Sequence, residues 1–178
     1  MTALLFCLPL TASADTPPVL VVYRARVELA SVRGRRWVDY GTFHTGYRRT
    51  LRAPDELITR VALPRPPPDA RPFYRKVGTR RAQAISTVCV AGVARWRDGV
   101  LAEARLAWGS VAPTVLESRR TAEFLSGRHR DAIDLARARA VLESELAPID
   151  DVRSTRDYRR RVAGNLLEQF LEETFPRA

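Results

Sequence analysis

The sequence predicts an α+β fold in which antiparallel strands come first and helices follow. The segments Val88–Trp96 and Val100–Trp108 are rich in apolar residues and are joined by Asp98-Gly99, a pair that readily adopts the positive φ angles of a type I′ hairpin turn. Beyond residue 113, three stretches combine helical apolar spacing with helix-capping residues. Strands followed by a run of helices are typical of α+β architectures.

The first part of the chain predicts short strands that end at a proline-rich linker. Residues 19–30 read VLVVYRARVELA, which indicates one or two strands, and a turn follows at Arg33-Gly34. Further short strands are expected around Trp37-Val38 and over Ile58–Leu63. Four of the five residues 64–68 are proline, and proline donates no ladder hydrogen bond and prefers an extended chain. We therefore expect a linker over residues 64–68.

Three helices are predicted in the last third of the chain. The first is expected to begin near Thr114, which has capping-box spacing to Glu117, and to end near Gly127. The second is expected over about Arg130 to Leu146, and the third is expected to begin at Ser154. The apolar side of the second helix is expected to comprise Ile133, Ala136, Ala140 and Val141. The broad apolar face of the third is expected to include Tyr158, Val162, Leu166 and Phe170.

The formal charge of +10 is concentrated in the first half of the chain. Residues 1–82 hold 15 basic and 6 acidic residues, and Lys76 is the single lysine among 30 basic residues. An arginine-rich half suits a nucleic-acid partner, but it suits a phosphate-bearing cofactor equally well, because the guanidinium fork matches phosphate oxygens. A non-catalytic basic binding module for nucleic acid therefore stays open as an alternative.

The cysteines and histidines predict no metal site on this chain. Cys7 and Cys89 are too few for the four thiolates of an iron–sulfur cluster, and His44 and His129 do not complete a zinc site with them. Any metal should therefore belong to another chain. Cys89 lies in an apolar run, which favours a buried, unreactive thiol.

Residues 1–14, MTALLFCLPLTASA, are expected to be a signal-like or non-family leader. They contain an apolar stretch and small residues before Asp15, but no positive charge precedes the apolar stretch. A true signal peptide on a secreted protein is the alternative to a cytoplasmic location, which we expect. No segment reaches the ~20 apolar residues that a membrane-spanning helix needs.

Four sequence phrases point to a known family. They are FHTGYRRTLRAPDELI (43–58), FYRKVGTRRAQAISTV (73–88), LAWGSVAPTVLESRRTAEFLSG (106–127) and IDDVRSTRDYRRRVAGNLLEQFLEE (149–173). In this order they resemble the FAD-binding subunits of bacterial xanthine dehydrogenases and of the related carbon monoxide dehydrogenases. The resemblance implies the tail of a vanillyl-alcohol-oxidase-type FAD-binding domain over residues 15–63. Over residues 69–178 it implies a three-stranded antiparallel sheet packed with three helices.

The resemblance also implies an electron-transfer function. Subunits of this family pass electrons from iron–sulfur clusters through FAD to NAD, while the molybdenum cofactor and the clusters are held by an iron–sulfur partner and a molybdenum-binding partner. The family's glycine-rich pyrophosphate-binding segments have no counterpart before Asp15. We therefore expect an N-terminally truncated subunit whose FAD binding is impaired, with an inactive gene remnant as the alternative.

Three residues match positions at which the family contacts FAD. Asp15 corresponds to an aspartate that hydrogen-bonds the sugar-alcohol chain, Ile58 to an apolar residue that touches the ring system, and Lys76 to a lysine beside the isoalloxazine ring. The segment Val77–Ile85 resembles a loop over the reacting edge of the flavin. The alternatives are a turn-capping role for Asp15, an ordinary core position for Ile58 and a solvated surface amine for Lys76.

Overall fold

The computed structural model describes residues 15–80 and 85–176, which form two antiparallel sheets, a small hairpin and a set of helices. The helices are α1 (Pro17–Val22), α2 (Tyr40–Phe43), α3 (Arg119–Leu125), α4 (Leu135–Glu143) and α5 (Arg156–Thr174), with a 3-10 turn at Arg130–Ala132. The strands are β1 (Arg26–Ser31), β2 (Gly34–Asp39), β3 (His44–Gly46), β4 (Arg49–Thr50), β5 (Leu57–Ala62), β6 (Arg71–Gly78), β7 (Ser86–Arg97), β8 (Val100–Gly109) and β9 (Leu116–Glu117). No helix among the described residues is long and apolar enough to cross a membrane.

The larger sheet has the order β6-β7-β8-β9 and is antiparallel throughout. The predicted hairpin is confirmed, because β7 and β8 pair along their length and meet at Asp98 and Gly99, with φ angles of 49° and 77°. These positive angles are the ones a type I′ turn requires. The three long strands match the predicted three-stranded sheet, to which β9 adds a fourth strand of only two residues.

One face of this sheet is covered by helices α3, α4 and α5. The ring of Phe170 in α5 lies 5.7 Å from that of Phe73 in β6, in an edge-to-face arrangement. Val162 and Leu166 are buried on the same helix, as the sequence predicts, whereas Tyr158 is 46% exposed and is wrongly placed on the apolar face. Tyr158 lies in the first turn of α5, where its backbone N–H donates to the side chain of the N-cap residue, Thr155.

The predicted starts of the first two C-terminal helices are wrong. Residues 116–117 pair with β8, so α3 begins only after Ser118, beyond the expected Thr114–Glu117 capping box. The hydroxyl of Ser118 is also engaged, because it accepts a hydrogen bond from Trp108 Nε1 at 2.9 Å. Helix α4 begins after Asp134, whose carboxylate accepts a hydrogen bond from the backbone N–H of Arg137 at 3.0 Å and caps the helix.

The buried side of α4 also differs from the expected one. Ala138 and Leu142 are its buried residues, whereas Ala136 and Ala140 face solvent. Ile133 is buried but precedes the helix. Leu135, Ala138 and Leu142 have the i, i+3 and i+7 spacing of one helical face, and all three contact the core beneath α4.

The opposite face of the sheet is covered by α1. Val22 and Leu20 belong to a core cluster that also contains Ala91 and Val93 of β7. Arg105 in β8 donates from Nη1 to the carbonyl oxygen of Val22 at 2.5 Å, which ties the end of α1 to the sheet. Both faces of the β7–β8 hairpin are therefore buried.

Residues 19–30 contain a helix and a strand rather than the one or two strands expected. Pro17 and Pro18 occupy the first turn of α1, where a missing N–H costs nothing and the fixed φ favours a helix. The valines that favour a strand locally are packed against the β7–β8 hairpin, so tertiary packing overrides their intrinsic preference.

The smaller sheet has the order β2-β1-β5. It contains the strands predicted around Trp37-Val38 and Ile58–Leu63. Residues 63–70 connect β5 to β6 without a helix or strand, and the division into residues 15–63 and 69–178 stays a prediction.

A buried arginine fixes the start of α5. Arg159 is 2% exposed and donates from Nη2 to Oδ1 of Asp151 at 2.7 Å. Asp151 also accepts hydrogen bonds from the backbone N–H groups of Arg153 and Ser154. Burial would raise the pKa of the Asp151 carboxyl, but the hydrogen bonds from Arg153 and the charge of Arg159 outweigh burial and lower that pKa to about 2.

Gly92→Ala is expected to destabilise the fold. A Cβ atom at position 92 would lie 2.7 Å from Cε2 of Phe170, whose ring is fully buried. Overpacking of this kind costs about 1–3 kcal/mol, and chemical denaturation should show that loss in the free energy of unfolding. Gly41→Ala is the control, because beyond its own helix and chain neighbours no atom of the described residues lies within 4 Å of the added Cβ. Equal stabilities of the two variants would contradict the packing described for α5.

The ion pair of Asp151 predicts a pH dependence of stability. Because the folded-state pKa of Asp151 is lowered to about 2, its contribution is complete above the unfolded-state pKa of about 3.9 and is lost as the pH falls towards 2. Asp151→Asn should therefore lower the free energy of unfolding at pH 7 and flatten its decrease between about pH 4 and 2. Asp157→Asn, whose side chain is 83% exposed, should leave the profile unchanged, and a flattened profile in that control would argue against the assignment.

Candidate functional site

The candidate site lies on the α1 side of the larger sheet, at the end of β6. Successive residues of β6 point to opposite faces, so Tyr74 and Lys76 share one face while Phe73 lies against α5 on the other. Lys76 pairs with Cys89 across the ladder. The single lysine of the chain is thereby held on a rigid strand beside the start of α1.

Asp15 and Lys76 are brought together although they are 61 positions apart. Asp15 lies two residues before α1, and the packing of α1 on the sheet places the Asp15 Oδ2 atom 2.5 Å from Lys76 Nζ. Ser86, at the start of β7, donates its hydroxyl to Oδ1 of the same carboxylate. The Asp15 and Lys76 side chains are 36% and 32% exposed, so a ligand can reach both.

Cys89 and Tyr74 lie on the same face of the sheet as Lys76, where Cys89 is buried and Tyr74 is partly exposed. Burial is the main cause that raises the pKa of the Cys89 thiol to about 11, with the Asp15 carboxylate adding to it. The thiol is therefore protonated at neutral pH and unreactive, which agrees with the expectation from the sequence. Burial, Cys89 and Asp15 also raise the pKa of the Tyr74 hydroxyl, so Tyr74 remains a neutral donor.

Ile58 lies on β5 of the smaller sheet, whereas Lys76 lies on β6 of the larger sheet. It pairs with Leu29 across the β1–β5 ladder, is half-buried and packs against the core cluster that contains α1. Of the expected flavin-covering loop, the structure describes Val77 to the bend at residues 79–80, and then Ile85, which is 64% exposed. Residues 81–84 of the expected flavin-covering loop lie outside the described residues.

Ser86 is the site residue that sequence reasoning missed. A register shift between Val77 and Gly78 sets Gly78 opposite Ser86, and strand alternation counted back from Cys89 does not predict that shift. The sequence did hold a chemical signal, because two hydroxyl residues, Ser86 and Thr87, precede seven consecutive apolar residues.

The donor set suits part of a flavin cofactor. A carboxylate accepts hydrogen bonds from the hydroxyls of a sugar-alcohol chain, and an ammonium group suits the electron-rich edge of a ring system. The nine glycines are each at least five positions from the next, so the sequence contains no glycine-rich loop to hold a pyrophosphate. The residues therefore fit the ring and sugar-alcohol parts of FAD, and not the pyrophosphate.

Other potential sites lie apart from this cluster or lack ligands. A cleft of about 500 Å³ is lined by Arg24, Arg105, Glu117 and Arg119 among others, and Asp15, Lys76 and Ser86 do not line it. Residues 15–80 and 85–176 contain no group of three or more His, Cys, Asp or Glu side chains that could hold a metal ion.

Two protein families match this chain. The family described as the CO dehydrogenase flavoprotein C-terminal domain matches residues 73–174. The family described as the FAD binding domain in molybdopterin dehydrogenase matches residues 9–66. The first match alone spans more than half of the chain.

Individual relatives agree with these families. The chain is 27% identical over 165 residues to the xanthine dehydrogenase FAD-binding subunit of Escherichia coli. The aligned region covers 90% of this chain and 56% of the relative. It is 29% identical over 164 residues to the carbon monoxide dehydrogenase medium chain of Afipia carboxidovorans. That aligned region covers 92% of this chain and 57% of the relative.

Solved structures show the same fold. Reconstituted CO dehydrogenase from Oligotropha carboxidovorans superposes with a TM-score of 0.82 at 28% identity, over 89% of this chain and 55% of the matched chain. The chain thus spans about half the length of the relatives it matches. It belongs to the family of FAD-binding flavoprotein subunits of xanthine dehydrogenase-type and CO dehydrogenase-type enzymes.

Proposed function

We propose that this chain contributes the ring-binding and sugar-alcohol-binding part of an FAD site in an electron-transfer subunit of a molybdenum hydroxylase. The single observation that carries the proposal is the Asp15–Lys76 pair, in which two residues from distant segments meet at 2.5 Å on an accessible surface. Both residues match family positions that contact FAD. Ile58 is proposed as an apolar contact of the ring from the neighbouring sheet.

FAD, when bound, supplies the two-electron redox chemistry, and the chain supplies orientation and charge. Asp15 accepts hydrogen bonds from sugar-alcohol hydroxyls and thereby orients them. The ammonium group of Lys76 stabilises negative charge at the ring edge. Because Lys76 is partly shielded from water, its charge acts more strongly than it would in bulk solvent.

We further propose that electrons enter from iron–sulfur clusters on a partner chain and leave to NAD. The names of the relatives support a multi-chain enzyme, because they describe a subunit and a medium chain. Substrate oxidation would belong to the molybdenum-binding partner. Arg80 and Arg81 would attract the phosphates of NAD, and the cytoplasm is the proposed location.

A nucleic-acid-binding role for the arginine-rich segment is less well supported. Arg33 pairs with Asp55, Arg36 with Glu56 and Arg60 with Glu28. In the Arg36–Glu56 pair, the guanidinium hydrogen bond lowers the pKa of the Glu56 carboxyl to about 2. Much of the basic charge of this segment therefore stabilises its own fold.

Lys76→Met is expected to weaken flavin binding and to preserve the fold. Methionine keeps the apolar reach of the lysine stem and removes the charge. Loss of a hydrogen bond from a charged donor should raise the Kd for FAD by about tenfold or more. The measurement is quenching of FAD fluorescence by the full chain, with thermal unfolding followed in parallel.

Arg71→Met provides the matched control, because it removes an exposed positive charge from the same strand, five positions from Lys76. It should leave the Kd within about twofold of the wild-type value, since only nonspecific screened electrostatics change. Absence of saturable quenching by the wild-type chain, or equal losses in the two variants, would refute the proposed FAD site.

A further inference from the structure

A β-bulge lies at the start of β7, next to the candidate site. Val77 pairs with Val88 and Gly78 pairs with Ser86, so Thr87 has no partner on β6. Because side chains alternate along a strand, an unbroken ladder would place Ser86 on the same face as Val88, towards α5. The extra residue reverses this alternation and turns Ser86 to the face that carries Lys76.

Arg159 satisfies the backbone that the bulge leaves unpaired. Its Nη1 atom donates to the carbonyl oxygen of Thr87 at 2.8 Å and to that of Ser110 at 2.7 Å. The Ser110 hydroxyl in turn donates to the carbonyl oxygen of Ser86 at 3.2 Å. A buried guanidinium whose Nη2 is paired with Asp151 thus fixes the bulge from the α5 side of the sheet.

The bulge gives the Asp15 carboxylate a defined orientation. Ser86 is 1% exposed, and its hydroxyl has one proton, which it donates to Oδ1 of Asp15. The second oxygen, Oδ2, is then directed at Lys76. Without the Ser86 donor, a carboxylate that is 36% exposed would be free to rotate towards water.

We propose that Ser86 is a positioning residue of the flavin site, which orients Asp15 against Lys76, and that Arg159 acts through the Thr87 bulge to hold Ser86 in place. The proposal rests on the proposed function for its consequence in flavin binding. The orientation of Asp15 itself does not depend on flavin and can be measured separately. Ser86 acts through Asp15 and is not a catalytic residue.

The test uses Lys76 as a reporter, because it is the only lysine of the chain. The rate at which an N-hydroxysuccinimide acetate ester acylates Lys76 in the full chain is measured by peptide mass spectrometry. A Lys76 side chain released from the Asp15 carboxylate is free to move away from the surface and to reach the ester. Ser86→Ala should therefore raise the acylation rate by about fivefold and weaken FAD binding by a similar factor.

Three further variants make the test specific. Ser86→Cys replaces the hydroxyl with a larger thiol that is only a weak donor and should behave like Ser86→Ala, so a folding defect in one variant does not end the test. Ser126→Ala removes a hydroxyl that donates to Ala122 on α3, and it should change neither rate nor Kd. In an Asp15→Asn background, Ser86→Ala should have no additional effect on the acylation rate, because the two residues act as one unit.

An unchanged Lys76 acylation rate in a folded Ser86 variant, or additive effects of Ser86→Ala and Asp15→Asn, would overturn the inference. If the wild-type chain binds no flavin, the proposed function fails. The acylation rates then still decide whether Ser86 orients Asp15.

Discussion

The β7–β8 hairpin is buried on both faces, and the rest of the structure depends on this constraint. Nine consecutive residues at the start of β7 are buried, so each face needs its own covering layer. Helix α5 supplies one through Phe170, and α1 supplies the other through residues such as Val22. Burial of apolar surface stabilises by about 25 cal/mol per Å², and this packing supports α1, a six-residue helix that would not form alone.

The candidate site is a consequence of the same packing. Helix α1 begins two residues after Asp15 and packs on the larger sheet, and this packing is what brings Asp15 to Lys76. An ion pair in which both partners are about one third exposed contributes little to stability. Its fixed geometry therefore has to come from the surrounding frame, in which Ser86 and the Arg159-stabilised bulge hold one oxygen of the carboxylate.

Sequence patterns predicted the elements whose signals are local. The Asp98-Gly99 turn and the apolar face of α5 follow from dihedral preference and helical periodicity, and both are observed except that Tyr158 lies outside the buried face. Helix α1 was not predicted, because its valines favour a strand until their packing on β7 is known. Family resemblance pointed to Asp15 and Lys76, whereas Ser86 required the register of the β6–β7 ladder, which a bulge shifts by one residue.

The most direct test of this account is whether the two segments remain associated after the chain between them is cut. A site-specific protease sequence inserted between Pro67 and Pro68, in the connection that lacks helix and strand, allows cleavage under native conditions. Because α1 covers one face of the β7–β8 hairpin, both fragments should co-elute in size-exclusion chromatography at the volume of the uncut chain. Separation of a folded C-terminal fragment from the first segment without denaturant would contradict it.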